Sequence, residues 1–215
     1  MVRNPCFLVY KNGFTLKSWL LHLFFPNFLW RLPHKNAVCL TFDDGPTPEI
    51  TPYVLDVLKT YNVKAVFFCV GSQVRRYPHL FKRILDEGHE VGNHTFFHEH
   101  GWKTSATKYV NSIQEAALLI PGKLFRPPYG KANLCALNKI KREGYKTIMW
   151  SWPSNDFKSS MTFSKFQHHV RRIQPGDILL FHDNEKTANR LIDYLTYTIN
   201  HLRENKITIQ PYAIL

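Results

Sequence analysis

Two periodicities alternate along the chain. Short, almost continuously apolar runs recur, and between them apolar residues return every three or four positions. Val38 to Phe42 reads as the first strand. Thr51 to Tyr61 follows as a helix with Val54, Leu55 and Leu58 on one face. Lys64 to Val70 predicts a strand ended by Gly71, residues 73–87 a helix broken near Pro78, and His89 to Gly92 a short strand. Residues 104–119 predict a helix with Val110, Ile113, Ala117 and Ile120 facing inward. Leu124-Phe125 begins a strand that runs into Pro127-Pro128, and Asn133 to Glu143 predicts a helix closed by Gly144. The rest reads as strand Lys146 to Trp150, helix 163–174, strand Asp177 to Phe181, helix Asn189 to Asn205 and strand Ile207 to Ile214. Apolar strands separated by helices, about seven times over, predict parallel strands covered on both faces. Count and length suit an α/β architecture of the incomplete (β/α) barrel type better than an open sheet.

Residues 1–36 stand apart from this alternation. Leu16, Trp19, Leu20, Leu23 and Phe24 fall at helical spacing until Pro26. Lys17, His22 and Pro26 interrupt the stretch too often for a transmembrane span. A clean apolar region and a small-residue cleavage site, the marks of a signal peptide, are not visible. The expectation is a helical segment packed on a single domain of residues 37–215. A peripheral membrane contact through residues 14–30 is the alternative. On this reading the protein is cytoplasmic or membrane-peripheral, and a monomer.

A chain of 215 residues buries roughly 70% of its unfolded surface and needs no staple to fold. The net charge of +12 changes the picture only in part, because the basic residues are scattered, as at Arg75-Arg76 and Arg171-Arg172. No nucleic-acid motif accompanies them, so no nucleic-acid partner is expected. A solvated basic surface and an affinity for an anionic polymer or membrane both remain open. Cys6, Cys39, Cys69 and Cys135 match no zinc or redox spacing and read as free thiols.

Candidate chemistry gathers where strands end. The first strand runs into Asp43 and Asp44, and Gly45-Pro46 then forces a turn. Taken alone, this could be a solvated turn closing a strand. His94 and His98 follow the third strand, Arg126 the fourth, Asp156 the fifth, and His182 with Asp183 the sixth. In a barrel that end is the active face. With 11 histidines, about 0.6 pairs four apart arise by chance, so the pair is weak by itself. On a helical turn its two imidazoles would share a face, and two histidines with one carboxylate form a common catalytic zinc set. The carboxylate would come from Asp43-Asp44, the other member acting as a base.

Thr41-Phe42-Asp43-Asp44-Gly45-Pro46, His94-Thr95-Phe96-Phe97-His98, Arg126-Pro127-Pro128-Tyr129-Gly130 and Leu180-Phe181-His182, in this order, resemble the polysaccharide deacetylase family. This is the NodB homology domain, carbohydrate esterase family 4. The resemblance runs from about residue 37 to the C-terminus. It implies a distorted, incomplete (β/α) barrel, a divalent metal (zinc or another transition ion), and hydrolysis of N-acetyl groups on N-acetylglucosamine-type glycans. Residue by residue, it implies Asp44, His94 and His98 as metal ligands, Asp43 as general base and His182 as general acid. Arg126 is implied to hold Asp43, Tyr129 to offer a backbone N–H to the oxyanion, and Pro128 beside it to contact the substrate.

The fourth motif departs from the family. Asp-Trp is usual, whereas Asn155-Asp156-Phe157 ends in Phe. Asp156 still fits as the partner of His182, and Phe157 with Leu180 as the wall around the acetyl methyl, without an indole N–H. The implied chemistry is attack of an activated water on the amide, with a base to take its proton and an acid to protonate the leaving amine. A catalytically silent glycan-binding or membrane-surface module and a metal amidase or esterase on another acylated substrate are the alternatives.

Overall fold

The computed structural model describes residues 28–33 and 36–212. The helix expected within residues 14–26 lies outside them. Strand β1 is Phe28–Leu29, and β2 is Ala37–Asp43. Then come α1 (Thr51–Thr60), β3 (Val66–Cys69), α2 (Gly71–Arg76), α3 (Pro78–Asp86) and β4 (Glu90–Asn93). The chain continues through α4 (Ala106–Ala117), β5 (Leu124–Phe125), α5 (Leu134–Arg142), β6 (Lys146–Ile148) and β7 (Trp152–Pro153). It closes with α6 (Phe163–Val170), β8 (Ile178–His182), α7 (Leu191–Glu204) and β9 (Thr208–Ile209).

The strands form an open, curled parallel sheet, a half-barrel, in the order β1-β6-β5-β4-β3-β2-β8-β7, and β9 pairs with the start of β2. Two strands are additional to the seven expected. β1 pairs with β6, and Trp30 and Leu32 are buried, so the described part of the segment expected to be helical to residue 36 is built into the sheet. Trp30, the last residue of the 14–30 stretch, is 3% exposed. β7 forms where residues 149–151 leave β6, and Ser151 N–H bonds Ile178 O beside β8. The strand expected over Lys146 to Trp150 ends at Ile148 for that reason. Proline divides the helix expected over 73–87 into α2 and α3, with Pro78 opening the second, where its missing N–H costs nothing. In α4 the inward position is Ala116 rather than Ala117. No helix among the described residues is long and apolar enough to cross a membrane.

All seven residues of β2 are buried, which explains its unbroken apolar character. The period of two divides it into files. Val38, Leu40 and Phe42 pack outward under the helices, in one cluster with Phe67 and Phe181. Cys39 faces inward, in a second cluster with Val66, Phe68, Ile178 and Leu180. Thr41 and Asp43 continue the inward file of β2, and His182 continues that of β8. Parallel register sets Asp43 directly beside His182. The fold thus delivers two polar groups to the inner rim of an apolar half-barrel.

Candidate active site

A cleft of about 1050 Å³ opens at the C-terminal ends of the strands. Asp43, Asp44, His94, His98, Tyr129, Phe157, Leu180 and His182 all border it. Arg126 and Asp156 lie fully buried behind that surface. Pro128 is buried at the start of a 3-10 turn and does not border the cleft, in contrast to the substrate contact expected of it. Its role in the fold is to start the turn that carries Tyr129.

Ligand atoms of Asp44, His94 and His98 lie within 4.8 Å of one another. Asp44 Oδ1 is 3.6 Å from His94 Nε2 and 3.0 Å from His98 Nε2. The expected helical turn does not make this arrangement. Residues 94–98 are an irregular loop in which Thr95 and His98 adopt φ of 64° and 59°. His94 Nδ1 lies 2.8 Å from the Arg126 carbonyl oxygen, which can only accept, so that nitrogen carries the proton and the Nε2 lone pair is left for the cluster. Burial lowers the His94 pKa to about 4, so the ring is neutral near pH 7, as a metal ligand must be. Burial opposes the charge on Asp44, yet the hydrogen bond from His98 and the neighbouring imidazoles hold its carboxyl well below the usual range. A carboxylate and two imidazoles at this spacing fit a divalent transition ion.

Arg126 is 0% exposed and spends its donors inside the protein. Nη1 donates to Asp43 Oδ1 and to Thr41 Oγ1, both at 2.7 Å, and Nε and Nη2 donate to the carbonyls of Ile148 and Met149. Because Thr41 and Asp43 are two apart on one strand face, one guanidinium reaches both. Asp43 Oδ2 is left on the cleft side, 3.9 Å from His94 Nε2. Across the β2–β8 register, His182 Nδ1 is 2.8 Å from Asp156 Oδ1. Asp156 also accepts from the backbone N–H groups of His182 and Phe157. Burial alone would depress the His182 pKa, but the Asp156 carboxylate outweighs it and raises the value to about 9. Phe157 stands edge-on to His182 at 5.4 Å.

Two residues hold the same loop: Asn184, which the sequence did not single out, and Asp183, which it placed at a strand end without a role. Asn184 Nδ2 donates to Asp44 Oδ2 at 2.6 Å, which turns Oδ1 toward the histidines. Asp183, 1% exposed, accepts from Gly45 N–H and from the Thr51 hydroxyl, and its own N–H donates to Asp43 O. A Cβ on Gly45 would overlap the Asp183 carboxylate. The sequence signal for both was slight: two polar residues directly after His182.

The chain is similar in sequence and fold to known proteins. The polysaccharide deacetylase family model matches residues 31–148. A peptidoglycan-N-acetylglucosamine deacetylase of Bacillus cereus is 36% identical over 183 residues, covering 81% of this chain and 86% of the relative. A solved peptidoglycan N-acetylglucosamine deacetylase, in complex with 4-naphthalen-1-yl-N-oxidanyl-benzamide, superposes with a TM-score of 0.81 and 28% identity over 94% of this chain and 96% of its own. A carbohydrate esterase family 4 pseudoenzyme of Bacillus anthracis superposes with a TM-score of 0.77 and 26% identity, covering 87% and 68% respectively.

Proposed function

The chain belongs to the polysaccharide deacetylase family, and from that premise we propose that it hydrolyses N-acetyl groups from N-acetylglucosamine-type glycans, with peptidoglycan strands as the polymer. Asp44, His94 and His98 would hold a divalent metal, zinc or another transition ion. When bound, such an ion polarises the amide carbonyl and makes water more acidic.

The observation that carries the reading is the alignment of Asp43 and His182 on neighbouring strands, each locked by a buried partner of opposite charge. Asp43, with Oδ1 held by Arg126, takes a proton from the water that attacks the acetyl carbon. His182 then protonates the departing sugar nitrogen, because an amine leaves poorly unless it is protonated. Its Nδ1 proton is held by Asp156, so Nε2 delivers the proton. Tyr129 has φ of 60°, and its backbone N–H has no partner among the described residues. That donor fits the developing oxyanion, a contribution of roughly 3–4 kcal/mol for a well-placed group. Leu180 and Phe157 would flank the acetyl methyl. The products are acetate and a sugar amine.

The family likeness extends to a pseudoenzyme, so membership alone does not decide between catalysis and a silent binding module. The complete set of base, acid and ligands favours catalysis. The test is acetate release from N-acetylglucosamine oligomers by chelator-stripped protein before and after zinc reloading. Calorimetric zinc titrations of wild type and His94→Ala run beside it. Restored release, with one zinc bound by wild type and none by the variant, is expected. One zinc bound without acetate release would move the reading to another acyl substrate, and no zinc binding would overturn the ligand set.

A further inference from the structure

The two histidines of the ligand cluster are anchored, through the ring nitrogens turned away from it, by one short loop that follows β5. His94 Nδ1 meets the Arg126 carbonyl oxygen at 2.8 Å, and His98 Nδ1 meets the Tyr129 hydroxyl at 3.1 Å. The two anchors differ in kind: a carbonyl can only accept, whereas a hydroxyl can donate or accept. The rings differ as well, the His94 side chain being 2% exposed and that of His98 26%. The Tyr129 ring stands edge-on to His98 at 4.6 Å and packs against His100 at 5.3 Å. Its loop is pressed against the loop that carries both histidines, because a Cβ on Gly101 would overlap the Lys131 carbonyl oxygen and the Ala132 backbone. Tyr129 is exposed, yet its neighbours hold its hydroxyl on His98.

From this geometry we infer that Tyr129 is, through its hydroxyl, a positioning residue for the ligand His98, and that it serves both proton arrangements of that ring. The inference rests on the ligand set of the proposed function and adds a group outside it. His98 Nε2 faces the Asp44 carboxylate at 3.0 Å. A carboxylate only accepts, so Nε2 carries a proton there, and the neutral ring takes a hydrogen bond at Nδ1 from the Tyr129 O–H. To ligate an ion, Nε2 must be free of that proton, and the neutral ring then carries it on Nδ1. The same hydroxyl then turns and accepts from Nδ1–H. A carbonyl could serve only this second arrangement, which is the one His94 already holds on Arg126. Tyr129 thus does two separable things: its backbone N–H serves the oxyanion, and its hydroxyl serves a metal ligand.

The test is Tyr129→Phe, which removes the hydroxyl and keeps the ring and the backbone N–H. Outer partners of ligating histidines change metal affinity by about 10–100-fold, and water can reach the half-buried His98, so the lower end applies. The expected calorimetric zinc Kd is about tenfold weaker, the melting temperature of the metal-stripped protein is unchanged, and kcat at saturating zinc stays within about twofold of wild type. Nitrogen NMR of the His98 ring is expected to show the proton on Nε2 in stripped wild type and on Nδ1 after zinc loading. In the loaded variant the Nδ1 proton exchanges faster with water. An unchanged Kd or an unchanged exchange rate overturns the inference. So does a weaker Kd accompanied by a lower melting temperature of the stripped protein, which marks a merely structural role. If wild type binds zinc but releases no acetate, the deacetylase reading fails while Kd and NMR still decide this inference. If wild type binds no zinc, the ligand set fails and the inference with it.

Discussion

Replacing Asp156 with asparagine keeps the shape of the side chain and removes its charge. In the wild type, two carboxylate oxygens accept three N–H groups: His182 Nδ1, the His182 backbone and the Phe157 backbone. Asparagine offers one acceptor oxygen and turns an NH2 toward the remaining donors. The rise of the His182 pKa from 6.5 to about 9 corresponds to a preference for the imidazolium of about 3 kcal/mol. Without that carboxylate the pKa falls back toward 6.5, with burial pulling it down and the Asp44 and Asp43 carboxylates still holding it up. At pH 8 about 90% of wild-type His182 carries its proton, and about 3% does in the variant. If His182 is the acid, kcat/KM at pH 8 falls about 30-fold from this cause alone, and the loss shrinks to about threefold or less at pH 6. The alkaline limb of the pH profile moves down by about two pH units or more. The same raised pKa predicts that the imidazolium's contribution to stability is full below about pH 6.5 and fades as pH rises through about 9. The assay is a pH–rate profile paired with an NMR titration of the His182 ring in metal-stripped protein. A variant equally impaired at every pH, with His182 still titrating near 9, would refute the reasoning.

Three further outcomes are expected. Asn184→Ala frees Asp44 to rotate and weakens zinc binding about 10–100-fold by calorimetry, with little change in melting temperature. Gly45→Ala forces a Cβ into the Asp183 carboxylate and lowers stability in urea unfolding by about 1–3 kcal/mol, as overpacking does. Arg126→Met strands the Asp43 carboxylate in a buried position, which destabilises the fold by about 3–5 kcal/mol; adding Asp43→Asn restores much of that stability but not activity.

The frame was legible because its strands are long enough to carry a period. Val38 to Phe42 and Asp177 to Phe181 are buried on both faces, so hydrophobicity alone marks them. β1 and β7 span two residues each, too few for any periodicity, whereas the equally short β5 and β9 were set apart by the helices before them. Thr41 was a missed signal. A polar residue in a continuous apolar run is buried to hold Arg126, and the sequence records only that it interrupts the run. The spacing of His94 and His98 suggested a helical turn, but the convergence comes from left-handed backbone at Thr95 and His98, for which neither residue type is a marker. Asp183 and Asn184 act on residues about 140 positions earlier, a distance that no local pattern spans.

The left-handed positions carry a consequence of their own. Among the described residues seven have positive φ without being glycine: Asn62 and Lys206 follow the ends of α1 and α7, and the other five, Asp44, Thr95, His98, Tyr129 and Asn155, lie in the loops around the cleft. Backbone strain of this kind costs about 1–3 kcal/mol per residue. The half-barrel beneath draws its stability from burial in its core clusters, not from these loops. Substituting Thr95 with glycine would relax its backbone but give up a buried side chain whose hydroxyl accepts from the Glu99 N–H. The strain is therefore concentrated at the rim of the half-barrel, where the proposed chemistry would need it, and not in the core that holds the fold.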